Sequence, residues 1–224
     1  TSSNAEAMAN TYGVTIPSAK KQIIALIVVP AIVLFGVYIP QFVQGNNELQ
    51  ARKAAAAEQL AIAQDALEPV CERVAADDPY ESYHDYGYRI IGYLRDNDLG
   101  AQAAYVYLSF DVDGTLTDVD YVSQIDPEAS LADNLARAEQ DIATLCAPLN
   151  GLDISVATPG LLTPCSLSDE FKQAFLGGSL YEEISIKTED ESIKSYYAFD
   201  TEPKEEFDEY THPEIRLMRS AKKS

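Results

Sequence analysis

The hydrophobic pattern changes character twice along the chain. Residues 23–43, IIALIVVPAIVLFGVYIPQFV, are almost continuously apolar and carry no charge. At 1.5 Å per residue such a run spans about 30 Å as a helix, the thickness of a bilayer core. It predicts a transmembrane helix over residues 20–43. Pro30 bends that helix near mid-membrane, where local adjustment can satisfy the freed carbonyls. Tyr38 and Phe42 suit the far interface as aromatic anchors. Gly36 offers a close-approach point for a second helix.

The pattern then becomes helical. Ala56, Leu60, Ala63, Leu67, Val70 and Val74 recur at alternating spacings of four and three, which marks an apolar seam. Residues 44–76 therefore read as a helical stalk, with Pro69 kinking its last turns. The seam pairs with a second copy, with another subunit, or with the chain's own domain.

Beyond the boundary at Asp77-Asp78-Pro79 the period drops to two. Residues 104–110 (AYVYLSF) and 116–122 (LTDVDYV) read as strands around an Asp113-Gly114 turn. Pro127 and Ser130 open a helix to about Cys146, with Leu131, Leu135, Ala138, Ile142 and Leu145 on its buried face. A third strand is expected over 152–157 and a short helix capped by Ser168. Two more strands follow over 181–187 and 192–199. A short helix is expected over 88–95, inside a tyrosine-rich segment that includes Tyr83, Tyr86 and Tyr93. The predicted class is α+β: one N-terminal transmembrane helix, a stalk, then a small extracytoplasmic domain (77–210) with an antiparallel sheet and packed helices. Residues 1–19 form a tail on one side of the membrane, and 211–224 a basic tail on the other.

Charge sets the orientation. Lys20 and Lys21 abut the start of the span, whereas the first cations beyond it are Arg52 and Lys53. The positive-inside rule puts the N-terminus in the cytoplasm and the domain outside it, in the periplasm if the source is bacterial. A net charge of −20 argues against nucleic acid as a partner. The chain has three cysteines. In an oxidising compartment one disulfide is expected, and Cys146 with Cys165 is the favoured pairing because they flank a proline-bearing loop. The two histidines, His84 and His212, give a Cys/His zinc site little to build on.

Candidate chemistry centres on FDVDGTLTD, residues 110–118. The stretch VYLSFDVDGTLTDVDYVS followed by a helix, residues 104–148, resembles the C-terminal domain of TonB and TolA-type envelope proteins. That resemblance implies an anchored, non-catalytic interaction domain, in which Asp111 and Asp113 are turn residues. The same letters, a hydrophobic strand followed by DxDGT, resemble the first motif of haloacid-dehalogenase-like phosphatases. This second resemblance implies Asp111 as nucleophile, Asp113 as general acid/base and Thr158 as the second-motif hydroxyl. Lys172 or Lys187 would steady the phosphate, and Mg²⁺ would sit near Asp111, Asp113 and Asp200.

The expected function is a single-pass, non-catalytic accessory subunit of a membrane or envelope complex, without a cofactor. Its partners are the lipid bilayer and other membrane-protein subunits or a self-copy. The contacts are assigned to Pro30 and Gly36 in the span, Leu60 and Leu67 in the stalk, and Tyr83 and Tyr86 in the domain.

Overall fold

A computed structural model describes residues 39–82, 85–163, 165–201, 204–206, 209–211 and 213–222. Most of the expected span, with Pro30 and Gly36, lies outside them, as does Tyr83. None of the described helices is long and apolar enough to cross a membrane. The chain divides into two units at Ala51/Arg52. In the first, the described residues are the opening turns of helix α1 (Ile39–Leu67), where Gln44 donates to Glu48 at 3.0 Å.

The second unit is built on a seven-stranded antiparallel sheet. Its strands are β1 (Cys71–Ser82), β2 (Asp85–Leu94), β3 (Ala104–Phe110), β4 (Leu116–Gln124), β5 (Tyr181–Lys187), β6 (Ile193–Asp200) and β9 (Glu214–Ala221), in the order β1-β2-β3-β4-β9-β6-β5. A small hairpin, β7 (Lys204–Glu206) with β8 (Glu209–Thr211), stands apart from it. Helices α2 (Leu131–Cys146) and α3 (Asp169–Leu176) join β4 to β5 and pack on one face.

Alternation explains the two-sided sheet. In β3, Ala104, Val106, Leu108 and Phe110 are buried while the residues between them are partly exposed. Val119 and Tyr121 of β4, Ile215 and Leu217 of β9, and Tyr197 and Phe199 of β6 extend the same apolar layer. Phe171 and Phe175 from α3 stack into it, each edge-on to Phe199 at 5.4 and 5.0 Å. Burying side chains of this size contributes about 2–3 kcal/mol each.

Both helix starts follow their caps. Ser130 Oγ accepts from Asp133 N, and Ser168 Oγ from Phe171 N. Cys146 and Cys165 are disulfide-bonded, tying the end of α2 to the loop before α3. Cys71 is free and buried, and burial pushes its thiol up to about 11.

Several elements differ from the sequence reading. The stalk helix stops at Leu67, and residues 71–82 are β1 rather than a helical continuation. Pro69 has no N–H to continue the helix and disfavours helical geometry in Glu68 before it. The seam resolves onto the chain's own sheet: Ala56, Leu60, Ala63 and Leu67 are at most 9% exposed within the core. Gly114 makes this docking close, because a Cβ there would lie 2.5 Å from Ala56 Cα.

Residues 88–94 of the segment expected to be helical lie in β2, and Arg95 begins the turn after it. Their β-branched and aromatic content favours a ladder. Gly92 allows close approach, since a Cβ would meet Cys71 Sγ at 2.9 Å. Residues 152–157 form a loop with a single parallel bridge, Val156 to Leu116, instead of a strand. The expected basic tail contains β9, a central strand whose alternate Ile215 and Leu217 face the core.

Candidate functional site

The sheet has a second face, which no described helix covers. Register places its residues in rows. One row reads Tyr93, Tyr105, Val122, Arg216 and Ala198, and the next Ile91, Tyr107, Asp120, Met218 and Tyr196. The tyrosines meet across the strands. The Tyr93 and Tyr105 rings are 5.9 Å apart, and Tyr105 meets Tyr107 edge-on at 5.1 Å. The Arg89 guanidinium lies 5.2 Å from the centre of the Tyr107 ring, a cation–π contact. Beneath this stripe Val122 is fully buried.

Next to the tyrosines lies a compact charge cluster. Arg216 Nη2 is 3.1 Å from Glu214 Oε1, and its Nε is 3.7 Å from Asp120 Oδ1. Asp120 is only 17% exposed, and burial outweighs Arg216 to push its carboxyl up to about 6. Burial also raises Glu214, with Arg216 opposing. Tyr105 is raised far above the ordinary phenol range, first by burial and then by Glu214 and Tyr107. At neutral pH its hydroxyl is therefore a neutral donor and acceptor. A cleft of about 260 Å³ opens beside this cluster, lined among others by Tyr181, Glu183, Tyr196, Asp200, Glu214 and Arg216. The face thus offers aromatic area, neutral hydroxyls and pre-paired charges, a composition suited to protein recognition.

The DxDGT stretch is elsewhere. Asp111 Oδ1 accepts from the backbone N of Asp113 and of Thr115, both at 2.9 Å. Gly114, at φ +80°, donates its N–H to Asp111 O at 3.1 Å. This carboxylate organises the turn between β3 and β4. Asp113 points to Arg52, 3.5 Å away. Asp200 ends β6 opposite Glu214, level with Gln124 at the far end of β4. The length of β4, about 25 Å, separates it from the turn.

Those residues do not fit a shared Mg²⁺ site. Among the described residues no group of three or more His, Cys, Asp or Glu is placed to hold a metal ion. Lys172 is paired with Glu139 at 2.5 Å and Lys187 with Glu191 at 3.6 Å. Thr158 sits in the loop after α2, its carbonyl accepting from Leu161 N at 3.2 Å. The antiparallel sheet also differs from the doubly wound parallel sheet that phosphatase chemistry of this kind uses.

Of the residues assigned to partner contact, Leu60 and Leu67 are consumed by the chain's own core. Tyr86 lies in β2, but its side chain is outside the described residues. The residues that do converge, Tyr105, Tyr107, Asp120, Glu214 and Arg216, stand out in sequence only as the polar half of each alternation. Comparison of the chain with protein-family models, with curated proteins and with solved structures returns no match.

Proposed function

We propose that this chain is a membrane-anchored, non-catalytic interaction subunit. It spans the bilayer once through residues 20–43 and presents its α+β domain outside the cytoplasm. The uncovered, tyrosine-lined sheet face is its partner surface. The observation that carries this reading is the face itself: three cross-packed tyrosines beside a half-buried Asp120–Arg216–Glu214 cluster. Such charges cost desolvation energy that folding alone does not require.

The Cys146–Cys165 disulfide supports an oxidising compartment. The uncharged run at residues 23–43, with Lys20 and Lys21 before it, supports the anchor and its orientation. The role of Asp111 as a turn acceptor favours the interaction reading over phosphoryl transfer.

The test is extraction of the chain from native membranes in mild detergent, sizing, and mass spectrometry of co-migrating species. A stoichiometric co-migrating membrane protein is expected, and it should be lost on Tyr105→Ala/Tyr107→Ala substitution. A solitary chain, or Mg²⁺-dependent phosphate release abolished by Asp111→Asn, would overturn the proposal.

A further inference from the structure

Strand β5 is the last strand of the sheet and pairs on one side only, with β6. In that ladder Thr201 N donates to Leu180 O at 2.9 Å and Thr188 N donates to Ile193 O at 3.0 Å. The even-numbered residues therefore turn their backbone groups toward β6. Antiparallel alternation turns the N–H and C=O of Tyr181, Glu183, Ser185 and Lys187 outward. Such a row is a template for another strand.

Of the seven exposed large apolar side chains among the described residues, four lie between residues 176 and 186: Leu176 at the end of α3, Leu180 just before β5, and Tyr181 and Ile186 on opposite faces of β5. Each face of this edge thus carries an exposed apolar side chain.

The β5 sequence, YEEISIK, selects the occupant. We propose that the edge binds β5 of a second copy, antiparallel, about a two-fold axis through Ser185. Only registers that set odd-numbered residues opposite odd-numbered ones bring outward backbone groups face to face. Centred on Ser185, the pairing sets Glu183 opposite the partner's Lys187, and Lys187 opposite the partner's Glu183. On the helix-covered face, Ile184 meets the partner's Ile186. Both opposite-charge and aliphatic pairs of this kind stabilise antiparallel ladders.

The neighbouring two-fold register, centred on Ile184, is poorer. It sets Glu182 opposite the partner's Ile186 and Glu183 opposite the partner's Ser185, and makes no ion pair. The favoured register is sterically simple as well. Glu183, Ser185, Ile186 and Lys187 are all exposed, and the Lys187–Glu191 pair is 57% exposed on both sides, so the lysine can be redirected at little cost. The result is a continuous sheet running through both copies, with the tyrosine face of each left open. This pairing goes beyond the partner reading above and does not depend on it.

The test is sedimentation of the full chain in density-matched mild detergent over a range of protein concentrations. The wild type should form a dimer. Lys187→Glu sets carboxylates opposite each other at two places and should weaken dimerisation by on the order of tenfold or more; Glu183→Lys should do the same with two ammonium groups. The charge-swapped chain carrying both substitutions should recover the dimer, which separates lost pairing from lost folding. A wild type that stays monomeric would overturn the proposal. So would single variants that dimerise as well as the wild type, or a swapped chain that does not recover.

Discussion

The two faces of the sheet are made by the same strands, residue by residue, yet they are built for different ends. On the helix-covered face Val106, Leu108, Leu217 and Phe199 belong to the buried apolar core and are at most 1% exposed. On the other, Tyr105, Tyr107, Asp120 and Arg216 occupy the intervening positions. The first face is optimised for burial. The second carries charge half out of water, where Arg216 only partly offsets the burial of Asp120. A sheet selected for stability alone would place longer aliphatic or fully solvated residues at such positions. On the function proposed above, binding is the reason for the second face.

The largest effects of substitution fall on the covered face. Leu108→Ala should cost about 3–4 kcal/mol in chemical denaturation, because a fully buried side chain is removed from a packed layer. A loss under about 1 kcal/mol would mean that this layer is not the core. Replacing both Cys146 and Cys165 by serine should cost about 3 kcal/mol, since the bridge closes a loop of 19 residues. Melting with and without reductant checks it.

On the open side the largest effect is on pH dependence. The folded-state pKa of Asp120 lies near 6, above the usual carboxylate value of about 3.9 for an unfolded chain. The folded state therefore binds the proton more tightly. Its contribution to stability is fully present below about pH 4 and is lost as pH rises through about 6, an amplitude on the order of 3 kcal/mol. Asp120→Asn should flatten that part of the stability–pH profile, read from denaturation midpoints. An unchanged profile would contradict the burial of this carboxyl. The smallest stability effect belongs to Tyr107→Ala. It should cost about 1 kcal/mol or less in folding while weakening partner association, whereas Leu108→Ala one position along should do the reverse.

Much of this architecture was legible in residue order. The β3–β4 hairpin, both capped helices and the β5–β6 pair follow from alternation, Ser130, Ser168 and the Asp113-Gly114 turn. The disulfide follows from the loop that its cysteines flank. What was not legible depends on distant pairing. Residues 71–82 and 88–94 complete each other's ladder, and that pairing is not written in either segment alone, although the content of 88–94 is compatible with a strand. β9 was hidden by its arginines: Arg216 and Arg219 read as a basic tail, yet they fall on opposite faces of a central strand. The candidate site was invisible for the same reason. Its residues come from β2, β3, β4, β6 and β9, and only register brings them into rows. The tyrosine content of the chain was the one available signal, and it drew attention to Tyr83 and Tyr86 rather than to Tyr105 and Tyr107.

On the proposed function the open face holds a partner while the covered face holds the fold. The most direct measurement compares the wild type with the Tyr105→Ala/Tyr107→Ala chain, both extracted in mild detergent and sized with their co-migrating proteins. Circular dichroism is recorded on each. The wild type should travel with a membrane partner in fixed proportion, and the variant should keep its folded spectrum but elute without that partner. A wild-type chain that elutes alone, or a folded variant that retains the partner, would contradict it.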